Sequence, residues 1–149
     1  MFSLKNKKAV ITGAGSGIGK AIAILFAKQG AEVHIIELTK ESAKSAVDAI
    51  NVNGDKVFSY ACNVANQKEV IQTFEAIGVH DILVNNAGIG HIGTADYTSE
   101  QDFHRIVNVN SKGVYNCWFD SIPLMTKNGI RVIVNMASIA AWSGLSDRF

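Results

Sequence analysis

The sequence predicts an α/β protein built on a doubly wound parallel sheet. Short β-branched runs occur along the chain, and their apolar residues are continuous rather than alternating, which is typical of strands covered on both faces. Between these runs, apolar residues recur at the spacing of amphipathic helices. The alternation of the two patterns predicts right-handed crossovers between parallel strands, with ligands bound at the carboxyl ends of the strands.

The predicted strands are residues 9–12, 31–37, 56–61, 81–84 and 131–137. The first three helices are predicted from the stripes Ile18, Ile22, Leu25 and Phe26; Ala43, Ala46, Val47 and Ile50; and Val70, Thr73, Phe74 and Ile77. A fourth helix is expected from about residue 99 to residue 125. Pro123 lies late in this helix, and we expect it to kink or end the helix there.

The length and composition predict one globular domain spanning residues 1–149. The hydrophobic content is 48%, and the formal charge of +1 provides no basic surface for a nucleic acid or an acidic membrane. Cys62 and Cys117 lie in apolar segments without CxxC spacing, so we expect neither a disulfide nor a metal site. Without an apolar leader or a span-length apolar run, a reducing cytoplasm fits best, and the expected partners are small molecules or protein.

A glycine-rich segment, residues 12–19, joins the first predicted strand to the first predicted helix. Gly13, Gly17 and Gly19 lack the Cβ that would hinder a tight turn, close approach to a phosphate and close packing of the helix. The context predicts binding of the pyrophosphate of a nicotinamide dinucleotide, although the spacing TGxxxGIG differs from GxGxxG. An ordinary turn followed by a helix cap is the alternative.

Glu37 ends the second predicted strand, eighteen positions after Gly19. A carboxylate there can accept hydrogen bonds from both hydroxyls of the adenosine ribose and would repel the 2′-phosphate of NADP. Ser16 and Leu38 occupy the places where a cation could compensate, which leaves Lys40 as the nearby basic residue. The sequence therefore favours NAD, with NADP less favoured. A solvated strand-end carboxylate is the alternative.

Four motifs in register resemble the classical short-chain dehydrogenase/reductase family over essentially the whole chain. They are residues 12–19, Asn85-Asn86-Ala87-Gly88, Asn110 within VNSKG, and Ser138 within VNMAS. The resemblance implies a Rossmann-like fold and hydride transfer between NAD(H) and an alcohol or carbonyl substrate. It also implies a homo-oligomeric parent protein, dimer or tetramer, and no metal.

The resemblance implies a set of cofactor-binding residues. They are Gly13, Gly15, Ser16, Gly17, Ile18, Gly19, Glu37, Leu38, Asn63, Val64, Asn86, Ala87 and Gly88. Asn63 and Val64 would line the adenine pocket, although the family more often has aspartate at the position of Asn63. Residues 86–88 would lie beneath the cofactor, with a turn cap as the alternative interpretation.

Asn110 and Ser138 are the candidate catalytic residues. Asn110 falls seven residues after Phe103 on an apolar stripe, which predicts a buried and therefore hydrogen-bonded amide. A structural role is one interpretation, and the resemblance implies a water-mediated proton relay. Ser138 is expected to end the fifth strand, where the resemblance implies that it polarises the reacting group. Ser143 and Ser146 are the nearby alternatives.

The family mechanism also uses a tyrosine with a lysine four residues later. None of Tyr60, Tyr97 and Tyr115 has lysine at that spacing, and the expected position lies just beyond Phe149. We therefore expect a truncated, catalytically inactive front part of a longer enzyme, with its fifth strand left open. A non-catalytic dinucleotide-binding module is the alternative.

The predicted substrate-side loops, residues 88–93 and 140–144, contain small residues with one histidine and one tryptophan. They would suit a polar sugar-like or medium-sized carbonyl substrate. We interpret His91 as a loop residue rather than a second catalytic base.

Overall fold

The computed structural model describes residues 2–52, 54–125 and 131–146. The strands are β1 (Lys8–Thr12), β2 (Glu32–Glu37), β3 (Val57–Ala61), β4 (Ile82–Asn85) and β5 (Val132–Asn135). The helices are α1 (Gly17–Lys28), α2 (Lys40–Asn51), α3 (Gln67–Ile77), α4 (Glu100–Val107), α5 (Gly113–Met125) and the single turn α6 (Ala140–Ser143). A π-helical turn, Asn108–Lys112, joins α4 to α5.

All pairings in the sheet are parallel, and the strand order is β3-β2-β1-β4-β5. The order reverses at β1, where Val10 is level with His34 of β2 on one side and Leu83 of β4 on the other. This confirms the predicted doubly wound, Rossmann-like sheet. In such sheets a crevice opens at the carboxyl ends of the strands on either side of the reversal, here β1 and β4.

The core consists of one apolar layer on each face of the sheet. Alternate residues of β1 point to opposite faces, so Ile11 packs with the helices α1 and α2, whereas Val10 packs with α3 and α5. Because both faces are covered, the central strands are apolar throughout, as the sequence predicted. Cys62 and Cys117, which lie in apolar segments of the sequence, are buried free thiols in the second layer.

The predicted fourth helix is divided by the π-helical turn. Ser99 caps α4 by accepting a hydrogen bond from the backbone of Asp102 at 3.1 Å. Pro123 lies inside α5, and Met125 is the last described residue of that helix. The predicted strand ends agree with the structure to within one residue except at β5, which ends at Asn135, two residues before the predicted end.

One prediction about burial is wrong. Phe103 and Val107 are 43% and 38% exposed, and Asn110 is also exposed, so these three positions do not face a core within the described residues. Periodicity identifies which side of a helix is apolar but not whether another element covers it. At the sheet edge, Val132 and Val134 of β5 are exposed, which agrees with the predicted open edge.

Candidate functional site

A cavity of about 390 Å³ lies at the carboxyl end of the sheet. Many of the predicted cofactor residues line it: Gly13, Ser16, Glu37, Leu38, Asn63, Val64, Asn86, Ala87 and Gly88. Four further residues that are not among the predicted cofactor-binding residues also line it: Ile36, Cys62, Ile89 and Val109. The volume is within the range typical of small-molecule sites.

Gly13 begins the turn that follows β1, and its backbone conformation requires glycine. Its φ is +66°, and a Cβ there would lie 2.8 Å from the Cα of Ala87. Asn86, which follows β4, stabilises the close contact between Gly13 and Ala87, since its side-chain amide donates to the Gly13 carbonyl at 2.8 Å. The Thr12 hydroxyl accepts the backbone N–H groups of Asn86 and Ala87 at 3.0 and 2.9 Å. The glycine-rich turn and the loop after β4 therefore form one hydrogen-bonded unit.

The first turn of α1 points its amino end toward the cavity side of the sheet. Ser16 occupies the N-cap position, and Gly17, Ile18 and Gly19 follow as the first helical residues. Backbone N–H groups in a first helical turn lack intrahelical acceptors, and the helix dipole adds positive potential there, so the turn suits an anion such as a phosphate. Ile18 is 63% exposed beside this turn despite being apolar.

Glu37 is held at the end of β2 by donors from two elements. One carboxylate oxygen, Oε1, accepts the Gly15 N–H at 2.7 Å. The other, Oε2, accepts the Leu38 N–H and the Ser42 hydroxyl, both at 3.2 Å. An ionised carboxylate offers about four acceptor sites, so Glu37 retains capacity for a ligand hydroxyl.

The segment after β3 is fastened to two helices. The Asn63 backbone N–H donates to the Glu69 carboxylate of α3 at 2.8 Å. The Val64 carbonyl accepts the side-chain amide of Asn116 in α5 at 2.8 Å, and Asn116 is fully buried. Sequence reasoning missed Asn116, although a polar amide beside Cys117 on the buried side of an apolar helix was a usable signal.

Asn110 extends from the π-helical turn to the loop after β4. Its Oδ1 accepts the Ile89 N–H at 2.9 Å, and its Nδ2 donates to the Ile89 carbonyl at 2.8 Å. The predicted hydrogen bonding of Asn110 is therefore confirmed, whereas its predicted burial is not. Asn110 itself does not line the cavity but fixes Ile89, which does.

Ser138 lies three residues beyond the end of β5 and is exposed, so it does not end the strand as predicted. Its hydroxyl accepts the Ala140 N–H at 3.2 Å, just before α6. Within the part of the chain that the structure describes, no hydrogen bond joins Ser138 to Asn110. The strand ends themselves are joined by Asn85, whose side-chain amide donates to that of Asn135 at 2.9 Å, a pair that the sequence analysis did not find.

A larger cavity, of about 640 Å³, lies at the amino end of the sheet. Five lysines contribute to its lining: Lys5, Lys7, Lys8, Lys28 and Lys56. Helices in this fold direct their carboxyl ends, and hence the negative end of their dipoles, toward that side, and Lys28 lies in the last turn of α1. Lys8 also complements a helix end, since its Nζ donates to the Ile77 carbonyl in the last turn of α3 at 3.1 Å, and Lys7 pairs with Asp81 at 3.3 Å. These lysines have structural partners, so the smaller cavity at the carboxyl ends of the strands is the better candidate for a dinucleotide site.

Within residues 2–52, 54–125 and 131–146, no three His, Cys, Asp or Glu side chains are grouped so that they could hold a metal ion. The same ranges contain no helix that is both long enough and apolar enough to cross a membrane.

Comparison with known proteins assigns the chain to a family. A family model described as short chain dehydrogenase matches residues 7–147. An uncharacterized oxidoreductase of Thermotoga maritima is 38% identical over 149 residues, covering 99% of this chain and 59% of that protein. The cyclohexanol dehydrogenase of an Acinetobacter species is 35% identical over 147 residues, covering 95% of this chain and 59% of that protein.

A solved structure gives the same result. The 3-ketoacyl-(acyl-carrier-protein) reductase of Brucella melitensis, complexed with NADH, is 40% identical with a TM-score of 0.90, covering 97% of this chain and 62% of that one. The chain thus spans about three fifths of the length of these relatives. Because the family match extends over nearly all of its residues, the chain belongs to the short-chain dehydrogenase family.

Proposed function

We propose that the protein is an NAD(H)-dependent oxidoreductase that interconverts an alcohol and a carbonyl compound. The observation that carries this proposal is the Glu37 carboxylate, which lines the cavity at the carboxyl end of the sheet. The relatives support the reaction class, since one is named a cyclohexanol dehydrogenase and another is a ketoacyl reductase complexed with NADH.

In the proposed arrangement, the pyrophosphate of the cofactor lies against the first turn of α1, where Gly17, Ile18 and Gly19 present backbone N–H groups. Glu37 accepts the hydroxyls of the adenosine ribose, and Asn63 and Val64 flank the adenine. Residues 86–88 support the nicotinamide end. The exposed apolar side chains of Ile18 and Leu38 support this arrangement, because a bound dinucleotide would cover them.

The preference for NAD over NADP follows from charge. A 2′-phosphate placed at the ribose would meet the Glu37 carboxylate in a partly desolvated site, where like charges repel strongly. Gly15 and Leu38 already direct their N–H groups to this carboxylate and so would not be available to the phosphate.

For catalysis, the bound cofactor supplies the hydride that moves to or from the carbonyl carbon. We assign to Ser138 a hydrogen bond that polarises the carbonyl oxygen, and to Asn110 the positioning of Ile89 together with the proton relay of the family. A tyrosine and lysine pair completes this family mechanism, and no tyrosine of the sequence has a lysine four residues later. The 149 residues alone are therefore expected to bind the cofactor without turning it over.

We further propose a small alcohol or carbonyl substrate, a cytoplasmic location and a homo-oligomeric whole protein. Buried free thiols at Cys62 and Cys117 support a reducing compartment, because disulfides are rare there.

The cofactor proposal is tested by titrating the protein with NADH and NADPH and following nicotinamide fluorescence. We expect NADH to bind at least about tenfold more tightly, and we expect Glu37→Gln to reduce that ratio by about tenfold, because the variant removes the repulsive charge and a charged acceptor. Glu41→Gln, which removes a carboxylate from the first turn of α2, is the matched control. Equal affinities for the two cofactors in the unaltered protein would contradict the NAD assignment.

A non-catalytic dinucleotide-binding module is the second candidate, because the residues that line the cavity at the carboxyl end of the sheet support cofactor binding and do not by themselves supply catalysis. The two functions are separated by assaying NAD reduction with simple and cyclic alcohols. Cofactor binding without turnover, in a protein that contains every residue encoded by its gene, would favour the binding module.

A further inference from the structure

The junction between β2 and α2 contains a hydrogen-bonded unit that extends beyond an ordinary helix cap. Thr39 is the N-cap of α2, and its hydroxyl accepts the Ser42 backbone N–H at 3.1 Å. In return, the Ser42 hydroxyl accepts the Thr39 N–H at 3.3 Å, which completes a capping box. The Ser42 hydroxyl also lies 3.2 Å from Oε2 of Glu37, the acidic residue at the end of β2.

The single hydroxyl hydrogen of Ser42 has two acceptors within reach. One is the Thr39 carbonyl at 2.7 Å, and the other is the Glu37 carboxylate at 3.2 Å. The carbonyl of an N-cap residue already accepts the first intrahelical hydrogen bond, whereas an ionised carboxylate forms the stronger bond with a hydroxyl. The hydrogen bond from the Ser42 hydroxyl to an ionised Glu37 is therefore more favourable than the one to the Thr39 carbonyl.

The glycine-rich turn holds the same carboxylate from the opposite side. Gly15 donates its N–H to Oε1 of Glu37 at 2.7 Å. A Cβ on Gly15 would overlap the Ser42 carbonyl, so the turn and the first residues of α2 are in direct backbone contact. The Glu37 carboxylate thus accepts hydrogen bonds from both the glycine-rich turn and α2, and its orientation depends on both.

We propose that Ser42 is a specificity-determining positioning residue, whose hydroxyl orients the Glu37 carboxylate toward the ribose diol of NAD. This inference rests on the proposed NAD-binding function. Ser42 does not line the cavity, so it acts through Glu37 rather than by touching the cofactor. Loss of its hydroxyl removes one of the three donors that hold the carboxylate and leaves Oε2 with the Leu38 N–H alone. The orientation of the carboxylate becomes less well defined, which weakens the acceptance of ribose hydroxyls and the rejection of a 2′-phosphate together.

The test compares the dissociation constants of NADH and NADPH for the unaltered protein, Ser42→Ala and Ser42→Thr. We expect Ser42→Ala to weaken NADH binding by between about threefold and tenfold, the effect of losing one hydrogen bond to a charged group, with little loss for NADPH. Ser42→Thr keeps the hydroxyl and should retain the preference for NADH over NADPH. The Thr39 hydroxyl still caps the backbone of residue 42 in both variants, so α2 keeps its N-cap.

A double-mutant cycle separates positioning from a general effect on α2. In a Glu37→Gln background, Ser42→Ala should change NADH affinity by less than about twofold, because the charged partner of the hydroxyl is gone. Ser45→Ala, which removes a hydroxyl bonded to Lys20 one turn later in α2, is the matched control and should leave the cofactor ratio unchanged.

The outcomes are distinguishable. If neither dinucleotide binds the unaltered protein, the proposed function and this inference both fail. If NADH binds preferentially but Ser42→Ala weakens NADH and NADPH equally, or weakens NADH equally with and without Glu37, then Ser42 has no positioning role and the proposed function stands.

Discussion

Asn110 binds both backbone groups of Ile89, with two hydrogen bonds of 2.9 and 2.8 Å. A side-chain amide that pairs with both groups of one residue imitates a neighbouring strand. The π-helical turn Asn108–Lys112 presents Asn110 to the loop, in agreement with the frequent occurrence of such turns at functional sites. The loop after β4 is therefore held at a point immediately beyond residues 86–88, which line the cavity.

Removal of this pairing should loosen the loop. We expect Asn110→Ala to increase the hydrogen exchange of the Ile89 amide by at least about tenfold and to weaken NADH binding, because an exposed loop without this anchor opens readily. Asn108→Ala, an exposed amide in the same turn, is the control. Unchanged exchange at Ile89 would show that the loop is held by other contacts.

Alanine substitutions at Gly13 and Gly90 test the steric requirement for glycine at position 13. Alanine at position 13 would require a positive φ and would contact the backbone of Ala87, so we expect a loss of about 1 to 3 kcal/mol in the free energy of unfolding. A Cβ at Gly90 meets open space. Urea unfolding of Gly13→Ala and Gly90→Ala measures the difference, and equal stability of the two variants would refute the steric argument.

His80 makes stability depend on pH. It is fully buried, with Nδ1 donating to the Gly78 carbonyl at 2.9 Å and Nε2 accepting the Ser121 hydroxyl at 2.6 Å. Burial lowers the pKa of His80 below its usual 6.5, so the unfolded chain takes up this proton at a higher pH than the folded chain. The stability contribution is present above pH 6.5 and is lost as the pH falls through the folded pKa.

The corresponding experiment measures the free energy of unfolding at a series of pH values between about 8 and 5. We expect His80→Gln to be less stable than the unaltered protein at pH 8 and to lose less stability on acidification. Some pH dependence should remain, because burial also lowers the pKa of His34. An unchanged pH dependence in His80→Gln would contradict the assignment.

Cys117 should be chemically inert in the folded protein. Burial raises the pKa of its thiol to about 12, from a usual 9.0, so the reactive thiolate becomes on the order of a thousandfold rarer. In a Cys62→Ser variant, we expect Ellman's reagent to label Cys117 rapidly in urea and extremely slowly without it. Labelling of the folded variant at a rate close to that of free cysteine would show that the thiol is accessible.

The sequence was sufficient to predict the sheet and the residues around its carboxyl end. Continuous apolar strands and helical stripes are local patterns, so the element order and the place of Glu37 at the end of β2 were predicted correctly. The glycine spacing after β1 likewise predicted the turn that approaches the loop after β4. These features depend on neighbouring residues in the chain, which is why periodicity and turn chemistry identify them.

The missed features depend on residues far apart in the chain. The side chain of Asn116 binds the Val64 carbonyl 52 positions away, and that of Asn85 binds Asn135 across 50 positions. The burial of Asn110 was predicted wrongly for a related reason, since an apolar stripe does not specify what packs against it. Pairings of this kind follow from tertiary structure and leave only weak local signals.

The hydrogen bonds between the Thr12 hydroxyl and the loop after β4 also determine when the glycine-rich turn can form during synthesis. The Thr12 hydroxyl binds the backbone of Asn86, which is 74 residues later in the chain. The glycine-rich turn therefore lacks this contact until Asn86 has been synthesised. At about 5 to 20 residues per second, a ribosome needs roughly 4 to 15 seconds to add these residues. During that interval the nascent chain has its first strand without the neighbour that completes the crevice, so the cavity cannot form before Asn86 has been synthesised.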